Sequence, residues 1–432
     1  MLFKIYPLFF FLFLSLPGLT QRFNDYFKDE TLRIDLIHAG NDSSEEITLK
    51  GFKSEPYFSG SLLQLIDPID YGKYKFEVYE SVTGKLIFSY GYSTLFSEYQ
   101  FTNEAKKHSK SFEECLIMPF PLEKVNIKIL CRDRQNLFKP LFSCSFNPLV
   151  DSTSVFKKHY EYRNISANTK KSILNKDYHG KLDIVIVPDG YQTKDSIKIY
   201  EDALRFRRYL LDCNPYSNYS ESIQFWVVSA FSQDSGTDNP TKNIECNTII
   251  NTSFNTFGSD RYLMTEDYFH LKDIAAHVPY DQIYILVNTD RYGGGSIYNF
   301  YSVCVSDNSK SEYIFTHEFG HGFAGLGDEY FTSEVSTPDI YNLTVEPWEP
   351  NLTTLRAFGT KWEDLVEKGV PIPTPDDEKY FTKVGAFEGG GYMTNGVYRP
   401  YFDCSMKTIS VNNFCPVCRK AIIRMLEIYT RK

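Results

Sequence analysis

The chain has 432 residues, of which 23% are charged and 42% hydrophobic, and its formal net charge is −9. That length suits two domains better than one core. The acidic balance excludes a general nucleic-acid binder, whose phosphate affinity comes from clustered Lys and Arg. Aromatic residues make up 16% of the chain, a share that favours β-rich layers because such side chains suit pleated, half-buried surfaces.

Residues 1–20, MLFKIYPLFFFLFLSLPGLT, place Lys4 ahead of an apolar run from Tyr6 to Leu16, then small or polar residues before Gln21. This is the pattern of a secretory signal peptide, with an apolar run too short to cross a bilayer comfortably. The expectation is a secreted protein, extracellular or periplasmic, with no stable membrane insertion, in a compartment where disulfides survive. Its nine cysteines leave at least one unpaired.

Residues 21–150 read as an antiparallel β-sandwich domain, since short alternating segments are broken by turn residues. YGKYKFEVYESVTGKLIFSYGYSTLF is a hairpin turning at Thr83-Gly84, and VNIKILCRDRQNLFKPLFSCSF a second one turning between Asp133 and Asn136. Residues 151–176 are polar and read as a linker. In residues 177–432 the pattern changes to apolar strands at Leu182–Val187, Ile223–Phe231 and DQIYILVN, with a helix around Ser196–Asp212. Strand–helix–strand order with apolar strands predicts an α/β layer with a covered sheet.

The stretch FTHEFGHGFAGLGDEY, Phe315 to Tyr330, carries the chemistry. His317 and His321 are four apart, which on a helix puts both imidazoles on one face. Glu318, next to His317, can reach a metal-bound water and take its proton, the mechanical meaning of H-E-x-x-H. Ser309 to Glu312 has capping-box spacing for the helix start, and Gly325 and Gly327 let the chain reverse beyond it. A catalytic Zn²⁺ takes three protein ligands; Asp328 is the choice for the third and Glu329 the reserve.

HEFGHGFAGLGDEY resembles the signature of the IgA-peptidase family of zinc metalloendopeptidases, and so do KLDIVIVPDGYQ, SQDSGTDNP, FNTFGSDRYL, YDQIYILVNTDRYGGGSIYNFYS, VEPWEPNLT and FEGGGYMTNGVYRPYFDCSMK. The resemblance implies an α+β, zincin-like (metzincin-related) catalytic domain at 177–432 preceded by an accessory domain at 21–150. It implies zinc on His317 and His321, and Glu318 as catalytic acid/base. Relative to the metzincin pattern H-E-x-x-H-x-x-G-x-x-H/D, Gly325 and Asp328 each come one residue late. Met406 is open to two readings, the methionine whose turn lies beneath the metal or a core side chain.

Cys415 and Cys418 form half of a zinc ribbon without a second C-x-x-C to complete it, so a disulfide from Cys404 to either one is the expectation. Tyr398, with Tyr330 as alternative, is the candidate phenol for the oxyanion. A polypeptide substrate is expected to bind as an extended strand near Tyr292–Ser296. The function these readings support is a secreted zinc-dependent endopeptidase that hydrolyses peptide bonds through a metal-bound water activated by Glu318. A non-catalytic adhesin or glycan-binding protein, and an exopeptidase or cell-wall peptide hydrolase, are the alternatives.

Overall fold

The segments Leu182–Asp189, Ile223–Val228, Gln282–Val287 and Tyr301–Val305 are buried at every residue, as strands covered on both faces must be. In the structure, a computed structural model that describes residues 22–166, 176, 178–331, 341–409, 411 and 413–431, these four pair in parallel. They form the centre of a six-stranded sheet. Each edge is antiparallel: Gly294–Ile297 pairs with Tyr301–Val305, and Tyr162–Asn164 pairs with Ile223–Val228. The expected signal peptide at 1–20 and residues 167–175 of the expected linker lie outside the described residues. The rest of that linker stretch contains two short strands, Ser154–Val155 and Tyr162–Asn164.

The first part of the chain builds two four-stranded sheets. One runs in the order Lys110–Pro121, Phe27–Gly40, Glu45–Glu55, Ser154–Val155, the other Leu86–Tyr92, Tyr74–Glu80, Val125–Arg132, Phe138–Phe146. Both hairpins expected from the sequence are present. Burial alternates along Tyr74–Glu80, and the inward side chains of the two sheets, among them Leu32, Ile34, Tyr74 and Phe76, share one apolar cluster. The molecule is thus a mixed α/β protein with several sheets.

Five α-helices occur among the described residues: α1 (Leu95–Tyr99), α2 (Ser196–Asp212), α3 (Tyr268–Ala275), α4 (Ser311–Ala324) and α5 (Pro416–Thr430). Helix α4 lies on the strands Gly294–Ile297 and Tyr301–Val305 and against α2 and α5. Phe315 of α4 stacks on Tyr284 of the sheet with ring centroids 4.1 Å apart. A second apolar cluster runs through this half and takes in Leu95, Phe96 and Tyr99 of α1. Arg33, buried in the first half, reaches Asp273 on α3 at 2.7 Å, so the two halves share both apolar and ionic contacts. No helix among the described residues is long and apolar enough to cross a membrane.

Candidate metal centre

Helix α4 is buried on almost every side, so its polar residues are the exceptions to explain. Its start differs from expectation. Lys310 is the N-cap and no side chain caps it; Asn308 Oδ1 accepts the Lys310 N–H, and the Ser311 hydroxyl goes to Val305 O. The expected capping box of Ser309 and Glu312 would require Ser309 as N-cap, whereas the helix starts one residue later, with Lys310 as N-cap. The end follows expectation. Gly325 sits at φ 61°, the left-handed region that closes helices, and Leu326 N–H bonds back to Gly320 O at 3.2 Å.

That turn returns the chain to the helix face. His317 Nε2 and His321 Nε2 are 3.1 Å apart, and Asp328 Oδ1 lies 3.2 Å from each. The ligand atoms of a tetrahedral zinc at about 2.0–2.1 Å are roughly 3.3 Å apart, so the triangle has the size such an ion requires. Both imidazoles are locked by their other nitrogen. His317 Nδ1 faces Ser405 O at 2.9 Å, and His321 Nδ1 faces Leu326 O. Carbonyls only accept, so the proton sits on Nδ1 and the Nε2 lone pairs turn to the shared point. Asp328 Oδ1 is buried with no hydrogen-bond donor aimed at it, an arrangement that leaves it free for a cation. The residues therefore fit a divalent metal ion of the zinc type.

The electrostatics are those of a cation site. Burial alone would push the Asp328 carboxyl up, yet the two imidazoles hold it well below the usual carboxylate range. Burial would lower His321, and Asp328 beside it raises it to about 9, so without a cation Nε2 also carries a proton, which a bound metal ion would displace. Glu318, half-buried on α4, is raised chiefly by burial, with the two imidazoles opposing. Metal binding at such a set is coupled to proton release.

The three groups open on a cleft of about 2260 Å³ whose lining also includes Glu318, Tyr292, Arg261 and Glu98. Gly294 explains how the edge strand fits so close to α4. A Cβ there would stand 2.7 Å from Ile314 Cγ2 and 3.4 Å from Glu318 Cγ. The outward groups of Gly294 are engaged by Arg261 O and Leu263 N, so Ser296 is the next residue of that strand whose backbone faces outward.

Among the other predicted residues, Tyr398 is not brought to the cleft. Its backbone pairs with Thr353 at 2.8 and 3.1 Å, and its phenol lies beside Glu388. Tyr392, at the turn end of the same hairpin (Phe387–Gly390 with Met393–Arg399), donates instead to Asp328 Oδ2 and accepts from Tyr330 at 3.3 Å. Glu329 turns away from the histidines toward Cys418 and Asn351. Met406 is fully buried, with Sδ against the α4 backbone at Gly320 and its carbonyl accepting the Glu329 N–H at 2.8 Å. Glu98 and Tyr392 carried no spacing signal. Glu98 comes from the distant α1 and is bound by the Tyr262 phenol; Tyr392 works only through a turn in which its own φ is 64°.

Residues 173–384 and 376–426 match the family model described as IgA Peptidase M64, and residues 22–143 match that of the Peptidase M64 N-terminus. The chain belongs to the M64 peptidase family. It is accordingly a metallopeptidase by family, and the resemblance read from HEFGHGFAGLGDEY and from the segment before it holds over both parts of the chain. An M64 peptidase implies a metal cofactor, and His317, His321 and Asp328 are one group of described residues whose ligand atoms converge. No curated protein matches the chain.

Proposed function

We propose that this M64 peptidase is a secreted zinc-dependent endopeptidase with a zincin-like catalytic domain at 177–432 behind a β-sandwich accessory domain at 21–150. His317, His321 and Asp328 would hold the ion, and Glu318 would serve as general base and then general acid. The observation that carries the reading is the convergence of two Nε2 atoms and Asp328 Oδ1 within 3.2 Å at the floor of a cleft. Zinc bound there supplies Lewis acidity that polarises a carbonyl and makes water acidic.

The chain's own groups do the rest. Ser405 O and Leu326 O fix the two imidazole tautomers. Tyr392 holds the far oxygen of Asp328, leaving the near one for the ion. Glu318, raised by its burial, takes a proton from water and delivers it to the departing amine, the task for which a carboxyl of raised basicity is suited. The polypeptide lies extended near Tyr292–Ser296, the cleft wall beside Glu318, and meets the strand edge from Ser296 because Arg261 and Leu263 already hold Gly294.

The test is a Glu318→Ala variant assayed against a proteome-derived peptide library, with zinc measured in parallel. Retained zinc with turnover lower by orders of magnitude supports the mechanism. Equal cleavage by variant and parent refutes it, and products that lose only terminal residues would make the enzyme an exopeptidase.

A further inference from the structure

Asp328 and Glu329 are neighbours in sequence whose side chains go to different places. Asp328 meets the histidines; Glu329 meets three cysteines. Glu329, Cys404, Cys415 and Cys418 each bring one ligand atom, all within 4.8 Å of one another. Glu329, Cys404 and Cys418 are wholly inaccessible to solvent, and Cys415 is 4% exposed.

We propose that these four residues form a second, structural zinc site, independent of the one in the cleft. Cys404 Sγ and Cys418 Sγ are 3.8 Å apart. Two thiolates on one tetrahedral zinc, each bonded at about 2.3 Å, stand roughly 3.8 Å apart, whereas a disulfide requires about 2.05 Å. Cys418 Sγ is 3.2 Å from Glu329 Oε1, short enough for a carboxylate oxygen sharing the same ion. The backbone is arranged to receive sulfur charge. Cys415 N–H points at Cys404 Sγ at 3.2 Å and Cys418 N–H at Cys415 Sγ at 3.5 Å. Cys415 also caps the N-terminus of the 15-residue α5, where the helix dipole favours a thiolate.

Glu329 supplies the second line of argument. Its Oε2 is buried without a hydrogen-bond partner, and no Lys, Arg or His among the described residues forms an ion pair with it. A carboxyl held dry, with Asn351 and the Cys418 thiol both on Oε1 and nothing on Oε2, is costly to ionise unless a cation completes its surroundings. A disulfide between two of the cysteines, the expectation from sequence, would remove sulfur ligands from the set and leave Glu329 Oε2 without a partner. Soft sulfur ligands with one carboxylate in a closed, four-ligand set select zinc over the hard divalent ions.

The site ties down what the cleft depends on. Ser405, whose carbonyl orients His317, follows Cys404; Met406, next along, binds the Glu329 backbone; and Glu329 directly follows the ligand Asp328. The second ion would hold both loops in register with α4.

Metal content of the full chain, purified under reducing conditions, is the test. Wild type should carry two zinc ions per chain, and His317→Ala/His321→Ala should keep one. Adding Cys415→Ser/Cys418→Ser to that variant should remove it. Since the cleft site has no sulfur, cobalt-loaded wild type should show a thiolate-to-cobalt charge-transfer band, a readout that stands even where a variant fails to fold. One ion in wild type and one in the histidine variant would support the second site while sinking the cleft reading. One ion in wild type and none in the histidine variant, no thiolate–cobalt band, or an unreduced chain lighter by two hydrogens with Cys404 cross-linked to Cys415 or Cys418, would overturn the proposal.

Discussion

Two buried sets of histidine and carboxylate occupy opposite parts of this molecule and do different things. In the first half, His38 is fully buried with Nδ1 2.8 Å from Glu114 and Nε2 3.3 Å from Glu45. Both ring nitrogens face carboxylates, so the imidazole is an ion-pair partner with nothing left to offer a metal. In the second half, His317 and His321 each spend Nδ1 on a backbone carbonyl and turn Nε2 toward a carboxylate oxygen that no donor satisfies. Composition does not separate these clusters. What separates them is whether a peptide carbonyl or a carboxylate meets the second ring nitrogen, because that choice decides where the proton rests and where the lone pair points.

The contrast can be broken by substitution, beginning with the cleft. His321→Ala should remove the cleft ion and reduce peptide hydrolysis to background, measured by zinc content and cleavage of a long peptide; normal turnover would erase the distinction between the two clusters. Glu318→Gln should keep the ion and lower kcat by about 10²–10⁴-fold, the range for loss of a general acid/base. The parent's rate should fall on the acid side at a pH above the ordinary glutamate range, because burial raises Glu318 and only its ionised form accepts a proton. An acid limb at the ordinary value would place the carboxyl in open solvent. Tyr392→Phe, which takes a donor from Asp328, should weaken zinc binding by about 10–100-fold as loss of a group orienting a ligand does, read by competition with a chelator.

The smallest effect on catalysis belongs to the other cluster. His38→Gln should leave zinc content and turnover unchanged while destabilising the fold by about 3 kcal/mol, as loss of one partner of a buried pair does. Burial alone would lower His38, but Glu114 and Glu45 raise it to about 9. A raised imidazole contributes stability that is complete below its unfolded value near 6.5 and is lost as pH rises through about 9. The parent should therefore weaken in denaturant between those limits, and the variant should have a flatter profile; loss of zinc in the variant would mean that the two halves share one site.

The cleft was legible to the extent that its parts were local in sequence. His317, Glu318 and His321 lie on one helix, and Gly325 announced the reversal that returns Asp328, so spacing and turn chemistry sufficed. Helix α2 was readable to its ends, Ser196–Asp212, as were the two hairpins. Asp328 against Glu329 could not be decided from spacing, since either residue could close the triangle. The decision lies with Cys404, Cys415 and Cys418, which claim Glu329 from positions far along the chain. Tyr398 and Tyr392 differ by a strand's length in one hairpin, and only the strained turn at Gly391 and Tyr392 shows which phenol reaches inward. The strand Tyr162–Asn164 was missed because its polar residues gain their place by pairing with Ile223–Val228, a tertiary choice that overrides local preference.

Helix α1 carries a practical lesson for anyone trimming this enzyme. Leu95, Phe96 and Tyr99 belong to the same apolar mass as the six-stranded sheet, and Glu98 beside them reaches the cleft wall through Tyr262. A shortened protein starting near residue 177 would bare that greasy seam to water and lose one rim of the groove. The leading segment is thus a second jaw of the cleft, and a minimal peptidase cut from this chain has to retain it.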